Sequence, residues 1–102
     1  MSAQLYLRAK DQERLVYLLR EYLPGVSALA YGSRVTGRAH EASDLDLALR
    51  SPDRHPISVH ALSEFRQALS DSNIPILVDA HDWARLPGSF HAEIERQHVV
   101  LN

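Results

Sequence analysis

Residues 31–47 read YGSRVTGRAHEASDLDL, and this segment decides the fold. Before it, the short and mostly apolar run from Val26 to Tyr31 favours a buried central strand. Gly32 and Ser33 then form a turn, and a polar connection leads to a second strand at residues 45–50. The segment therefore predicts two core strands whose connection begins with a tight bend.

The second predicted strand carries two carboxylates on one face. Side chains alternate along a strand, so Asp44 and Asp46 project to the same side. The other side of this strand is apolar and consists of Leu45, Leu47 and Leu49. Two neighbouring anions repel each other unless a positive group lies between them, and a divalent metal ion is the usual solution. One face is thus predicted to enter the core, while the other holds a metal.

The bend at Gly32 and Ser33 is suited to binding phosphate. Gly32 permits a tight backbone turn, and Ser33 begins a predicted helical turn. Exposed backbone amides at such a turn can hold phosphate oxygens. A phosphate cradle beside a metal-binding pair of carboxylates predicts a site for a metal-bound nucleotide.

Gly-Ser, ten intervening residues and Asp-x-Asp together resemble the signature of the polymerase-beta-type nucleotidyltransferase superfamily. The sequence resembles in particular the small bacterial branch of this superfamily, the minimal nucleotidyltransferases. The residues that carry this resemblance are Gly32-Ser33-Arg34, Gly37-Arg38-Ala39 and Ser43-Asp44-Leu45-Asp46-Leu47. Either half of the pattern alone is weak evidence, but both at this spacing, each in an apolar strand, are specific. The resemblance implies an α/β fold with a small mixed β-sheet backed by helices, and residues 1–102 as a single minimal nucleotidyltransferase domain.

A third carboxylate is expected, because two metals beside a triphosphate usually need more than two. Asp79 closes the apolar run at residues 75–78 and so lies at a strand end. The superfamily carries a third acid on a later strand, and Val78-Asp79 fits that pattern. An ordinary strand-terminating aspartate is the alternative. Asp82 is the competitor, but we predict that it caps the turn containing Trp83.

The resemblance also implies roles for the acids and the bend. Asp44 and Asp46 are expected to hold two Mg²⁺ ions that bridge the phosphates of ATP. Asp79 is expected to complete one metal site where the incoming hydroxyl is deprotonated. Gly32 and Ser33 are expected to bind the outer phosphates.

Three further polar residues in the same segment are candidate nucleotide contacts. Arg34 or Arg38 could neutralise charge on the leaving pyrophosphate, and an ion pair of a surface arginine with Glu41 is an equal alternative. Ser43 either orients the loop before Asp44 or simply ends the turn.

Composition narrows the class of protein. The chain has 102 residues, a formal net charge of −2 and no cysteine, so disulfides and thiolate metal sites are excluded. The six histidines show no zinc-site spacing. No apolar run approaches the roughly 18 residues of a membrane helix, and no signal-peptide pattern is present. We therefore expect a cytoplasmic protein, with neither a membrane nor a nucleic acid as a direct partner.

The remaining chain predicts helices around the strands. Apolar residues at helical spacing indicate helices from about residue 10 to the stop at Pro24-Gly25, and at about residues 59–70 with Ser58 as a cap. Residues 74–80 read as a third strand, and residues 89–98 as a final helix. The predicted order is αβ(α)βαβα, an α/β sandwich.

The resemblance implies a specific function. Superfamily members acting on tRNA, DNA or small drugs usually carry extra domains for the acceptor, and we expect none here. Minimal nucleotidyltransferase antitoxins are instead typically encoded beside a HEPN-domain ribonuclease toxin, and use ATP to place AMP on a tyrosine hydroxyl of that toxin. A hetero-oligomer with such a toxin is expected. The alternatives are an antitoxin that acts by contact alone, or nucleotidyl transfer to RNA or a small hydroxylated molecule.

Overall fold

The computed structural model describes residues 4–37 and 44–102. The helices are α1 (Ala9–Tyr22), α2 (Ser33–Thr36), α3 (Val59–Asp71) and α4 (Gly88–Arg96), with a 3-10 turn at Trp83–Arg85. The strands are β1 (Ser27–Tyr31), β2 (Leu45–Arg50), β3 (Val78–Asp82) and β4 (Val99–Val100). No helix in these two ranges has the length and apolar character needed to cross a bilayer.

The strands form a mixed sheet in the order β3-β2-β1-β4. β1 pairs antiparallel with both β2 and β4, whereas β2 pairs parallel with β3. The predicted small mixed sheet backed by helices is therefore confirmed.

One face of the sheet packs against α1 and α3 and forms the larger core. The sheet contributes Ala28, Ala30, Leu45, Leu47, Leu49 and Ala80, and the helices contribute Leu15, Leu19, Leu62 and Phe65. The leucines of β2 are fully buried, as the alternating pattern predicted. This face holds the fold together by apolar burial and leaves the other face available for chemistry.

The opposite face is covered over only part of its area. Leu29 and Ala48, which are register partners on β1 and β2, pack beneath Trp83 and Ile94. Trp83 is 7% exposed and packs in this smaller core. Its ring also stacks on His91, with 3.9 Å between the ring centroids. The 3-10 turn and α4 thus cover this part of the sheet.

Two predicted boundaries are wrong for physical reasons. The third strand was expected at residues 74–80, but pairing with β2 begins at Val78 and continues to Asp82. Pro75 lies in the segment before β3 and has no N–H to donate to a ladder. The final helix was expected to reach residue 98, but α4 ends at Arg96 and β4 follows it. The prediction of Ser58 as a cap is confirmed, because its hydroxyl accepts a hydrogen bond from the Ala61 amide at 3.3 Å.

Candidate active site

Three polar side chains form a row across the open part of the sheet. Tyr31 on β1 pairs with Asp46 on β2, and Asp46 pairs with Asp79 on β3. Register partners project from the same face of a sheet, about 5 Å apart between neighbouring strands. Asp44 lies immediately before β2 and is exposed. It is two residues from Asp46, a spacing that corresponds to the same side of an extended chain. The structure therefore brings Asp46 and Asp79 together on the face opposite the larger core.

The pKa of Asp46 reflects its burial and its charged neighbours. The pKa of Asp46 is raised by burial above all, and further by the negative charges of Asp79 and Asp44. His81 acts in the opposite direction, and its Nε2 lies 3.1 Å from the Asp79 carboxylate. A site that disfavours its own negative charge in this way favours a bound cation.

The bend at Gly32 lies directly against this row. Gly32 has φ +82° and ψ −154°, a conformation that residues with a side chain rarely adopt. A Cβ at this position would lie 2.5 Å from Oδ2 of Asp46. The carbonyl oxygen of Gly32 accepts hydrogen bonds from the amides of Val35 and Thr36, both at 3.0 Å. Ser33 begins α2. Glycine is therefore required here by both conformation and space.

Tyr31 and Glu93 are candidate site residues that sequence reasoning missed. The pKa of Tyr31 is raised to about 12 by burial, and then by the charges of Asp46, Asp79 and Glu93. Its phenol therefore stays neutral at physiological pH and can donate a hydrogen bond. Its position immediately before Gly32 was the available signal for Tyr31. Glu93 gave no such signal, because only the packing of α4 brings it near the row.

Asp82 lies on the other side of the sheet from the row. It pairs with Leu49 and is 3% exposed. Its carboxylate accepts hydrogen bonds from the amides of Ala84 at 3.1 Å and Ile57 at 2.8 Å. The prediction that Asp82 caps the turn containing Trp83 is confirmed, and this geometry leaves Asp79 as the aspartate of β3 that faces Asp46.

The other predicted nucleotide contacts, Arg34, Arg38 and Ser43, stay predictions. Arg34 is 9% exposed, and its Nη1 donates a hydrogen bond to the carbonyl oxygen of Tyr6 at 2.8 Å. That contact ties α2 to the N-terminal segment, so phosphate binding by Arg34 remains a prediction. Arg38, Ser43 and Glu41 lie outside the described residues.

The donor set of the row fits magnesium better than a softer metal. Within residues 4–37 and 44–102, no three His, Asp or Glu side chains form a ready-made metal cluster. Magnesium is usually bound by one or two carboxylates together with substrate phosphates, and does not require an all-protein cage. Paired carboxylate oxygens beside the Gly32 bend meet that requirement.

Comparison with known proteins agrees with this geometry. Residues 13–102 match the family described as Polymerase beta, Nucleotidyltransferase. The chain belongs to this nucleotidyltransferase family. The match spans all of the sheet and α3 and α4, so it includes the row and the Gly32 bend.

A relative from Haemophilus influenzae, named "Probable protein adenylyltransferase MntA", is 34% identical over 99 residues. That alignment covers 97% of this chain and 85% of the relative. The fold is also similar to that of a chain in a crystal structure of a toxin–antitoxin with AMP-PNP, with a TM-score of 0.73 and 23% sequence identity. The matched region covers 89% of this chain and 72% of the other chain. A chain from the toxin–antitoxin MntA-HepT has a TM-score of 0.68 and 19% identity, over 93% and 72%.

Proposed function

We propose that this nucleotidyltransferase transfers AMP from ATP to a tyrosine hydroxyl of a HEPN-domain ribonuclease toxin, and so acts as its antitoxin. The observation that carries the catalytic part is the pairing of Asp46 with Asp79 beside the Gly32 bend. The relative named as a protein adenylyltransferase supports a protein acceptor and the adenylyl group. The toxin–antitoxin structure with AMP-PNP supports ATP as the donor.

Asp44, Asp46 and Asp79 are the residues that would hold two Mg²⁺ ions. When bound, magnesium would neutralise these carboxylates and stabilise the charge that develops on the transferring phosphoryl group. Burial, and then the negative charges of Asp79 and Asp44, raise the pKa of Asp46, and this supports the assignment because a bound cation favours the ionised carboxylate. Without a bound cation these negative charges are not compensated. We therefore expect them to lower the free energy of unfolding of the metal-free chain.

The chain itself binds and orients the nucleotide. Gly32 has no side chain, so its backbone approaches the carboxylates, and the Ser33 hydroxyl with nearby amides binds the outer phosphates. Arg34, Arg38 and Ser43 are the further proposed nucleotide contacts. The proton of the acceptor hydroxyl leaves toward Oδ of Asp79, whose carboxylate is oriented by the 3.1 Å contact with His81.

The toxin completes the acceptor side of the site. Its tyrosine oxygen forms a bond to the α-phosphorus of ATP, while the bond from that phosphorus to the β-phosphate bridging oxygen breaks and pyrophosphate leaves. The working protein is accordingly a hetero-oligomer of antitoxin and toxin, as in the MntA-HepT pair. ATP and Mg²⁺ are both abundant in the cytoplasm, where we place the reaction.

The test combines the purified chain, Mg-ATP and the product of the neighbouring gene, which we expect to be a HEPN protein. Mass spectrometry should show one adenylyl group on a tyrosine of that protein. Replacing Asp44 and Asp46 together by Asn should reduce the transfer rate by at least about 1,000-fold, because metal ligands contribute several kcal/mol to the transition state. Asp53→Asn, which removes a carboxylate from an exposed loop, should leave the rate unchanged.

Two outcomes would separate the alternatives. Full toxin neutralisation by the Asp44/Asp46 double variant would show an antitoxin that acts by contact alone. If an adenylyl group appears on RNA or a small hydroxylated molecule, and never on the HEPN protein, the acceptor is not the HEPN protein and this part of the proposal is wrong.

A further inference from the structure

A groove of about 560 Å³ lies along the outer edge of the sheet, between α3 and β3. We call it the α3–β3 groove. Its apolar wall consists of Val59, Leu62 and Leu86, and its polar wall includes Arg66, His81 and Arg85. Val59 is 71% exposed, which is a large fraction for an aliphatic side chain. Val59 thus offers an apolar contact at the rim of the groove, beside the half-buried Leu86.

The two arginines of the groove are held in place by the protein. Nε and Nη2 of Arg66 donate hydrogen bonds to the carbonyl oxygen of Ala80 at 3.1 and 2.6 Å. Nη1 of Arg85 donates to the carbonyl oxygen of Ile57 at 3.0 Å and to the Asp82 carboxylate. A guanidinium group has five N–H donors, so each arginine is anchored by one part of its fork. Anchoring lowers the entropy lost when such a group binds a carboxylate.

The groove is locally positive in a chain of negative net charge. The chain carries −2 overall, whereas the groove has two arginines against one aspartate. That aspartate, Asp82, is 3% exposed and already accepts hydrogen bonds from two amides and Arg85. Because Arg85 is ion-paired with Asp82, the net positive charge that the groove offers a negatively charged partner comes from Arg66.

The groove also opens beside the proposed reaction centre. His81 lines it, and the same ring contacts the carboxylate of Asp79 at 3.1 Å. Asp79 is where the proposed function places the acceptor hydroxyl. A partner lying in the groove would therefore extend directly to the transfer site.

We propose that the α3–β3 groove docks an acidic segment of the acceptor protein, with its carboxylates on Arg66 and Arg85 and an apolar side chain against Val59, Leu62 and Leu86. This proposal rests on the proposed function, since it names how that reaction holds its protein acceptor. The segment binds through side chains and does not add a strand, because Arg66 covers the Ala80 carbonyl at the edge of β3.

The test measures binding and transfer separately, with the expected HEPN protein of the proposed function as the probe. Calorimetry should show that Arg66→Glu weakens binding of that protein by about tenfold or more, with a reduced dependence on salt. The affinity for Mg-ATP should not change. Arg14→Glu, the same charge reversal on exposed α1, is the matched control and should bind the probe like the unaltered chain.

A second variant avoids removing the Arg66 contacts. Ser63 lines the groove and is exposed, so Ser63→Glu adds a negative charge there without deleting an arginine. It should also weaken binding of the HEPN protein by several-fold. Ser70→Glu adds the same charge to an exposed position of α3 outside the groove and should have no effect.

The outcomes distinguish this surface from the proposed function. Equal binding by the unaltered chain, Arg66→Glu and Ser63→Glu would overturn the docking surface, as would equal weakening by the control variants. No binding by the unaltered chain would also overturn it. Groove-dependent binding without adenylyl transfer would support the surface and overturn the proposed function alone. Groove-dependent binding of single-stranded RNA in place of the HEPN protein would reassign the surface to nucleic acid and overturn the proposal.

Discussion

Asp46 and Asp79 face each other directly across the parallel β2–β3 ladder. Their side chains leave the same face of the sheet, whereas Asp82, three residues after Asp79, leaves the other. The pair places two negative charges on neighbouring strands, with Asp44 close by, and this repulsion adds to burial in raising the pKa of Asp46. The arrangement is therefore costly to the fold until a cation is bound.

Removing one charge of this pair should stabilise the metal-free chain. Solvent screens a partly exposed carboxylate, so for Asp46→Asn at pH 7 in EDTA we expect only a small rise in the midpoint of thermal unfolding, about 2–4 °C. Glu95→Gln, which removes an exposed charge from α4, should cause no rise. Differential scanning calorimetry checks both. A lower midpoint for Asp46→Asn would contradict the proposed repulsion.

The raised pKa of Asp46 makes the stability of the folded chain depend on pH. The folded pKa of Asp46 lies above its ordinary value of 3.8, so between these two values the folded state binds more protons than the unfolded state. Stability from this group is therefore present below pH 3.8 and is lost as the pH rises through the folded pKa. The stability advantage of Asp46→Asn should shrink on acidification and disappear below about pH 3.8. A constant difference between pH 3 and pH 7 would be inconsistent with this.

A side chain at position 32 should damage both the fold and the reaction. Gly32→Ala forces a Cβ to within 2.5 Å of Oδ2 of Asp46 and strains a backbone at φ +82°. We expect a loss of about 1–3 kcal/mol in the free energy of unfolding, together with a weaker affinity for Mg-ATP. Urea denaturation and nucleotide titration measure the two effects.

Gly88 provides the matched control for that substitution. A Cβ built at Gly88 meets nothing within 4 Å, and its φ is not in the left-handed range. Gly88→Ala should therefore leave stability unchanged or raise it slightly, since alanine is favoured in a helix. Equal losses at both positions would mean that the approach of Gly32 to the carboxylate is not what matters.

The parts of the fold that sequence predicted well depend on local patterns. β2 begins and ends at the predicted residues, because its period of two is unbroken from Leu45 to Leu49. That period alone placed Asp44 and Asp46 on one side of the strand. The cap at Ser58 likewise depends on a contact three residues along the chain. Such features need no knowledge of which strands are neighbours.

The parts that sequence could not give depend on register and packing. The pairing of Tyr31 with Asp46 follows from the β1–β2 register, which a single sequence does not specify. Glu93 reaches the site because α4 packs across the sheet. β4 has only two residues and directly follows a helix, so it has no periodic pattern of its own. Arg34 donates a hydrogen bond to the carbonyl oxygen of Tyr6, a contact 28 positions away along the chain that no local pattern indicates.

Tyr31 should remain a neutral phenol well above the pH at which tyrosines usually ionise. Burial and three nearby carboxylates raise its pKa from 10.0 to about 12. In NMR spectra of the chain labelled at tyrosine ¹³Cζ, the resonance that disappears in Tyr31→Phe should show no phenolate shift up to about pH 10.5. Asp46→Asn should lower the pKa of that resonance, because it removes the largest charge effect. Ionisation of Tyr31 near pH 10 would contradict this environment.

Asn102 replaces backbone pairing where β4 ends. Its Oδ1 accepts a hydrogen bond from the Ala28 amide at 2.9 Å, and its Nδ2 donates to the Val26 carbonyl at 2.9 Å. Ala28 is fully buried, so Asn102→Ala leaves its N–H without a partner and should cost about 1–3 kcal/mol of unfolding free energy. Asn73→Ala, at an exposed position, should cost nothing measurable.

Urea denaturation compares the two asparagine variants with the unaltered chain. It shows whether the hydrogen bonds of Asn102 stabilise the fold. Hydrogen exchange adds a local readout, since the Ala28 amide should exchange faster in Asn102→Ala, whereas amides in α3 should change only as far as global stability falls. This matters for the site because β1 carries Tyr31 at its other end and pairs with β2 along its whole length. If Asn102→Ala unfolds at the same urea concentration as the unaltered chain, these two bonds do not secure β1.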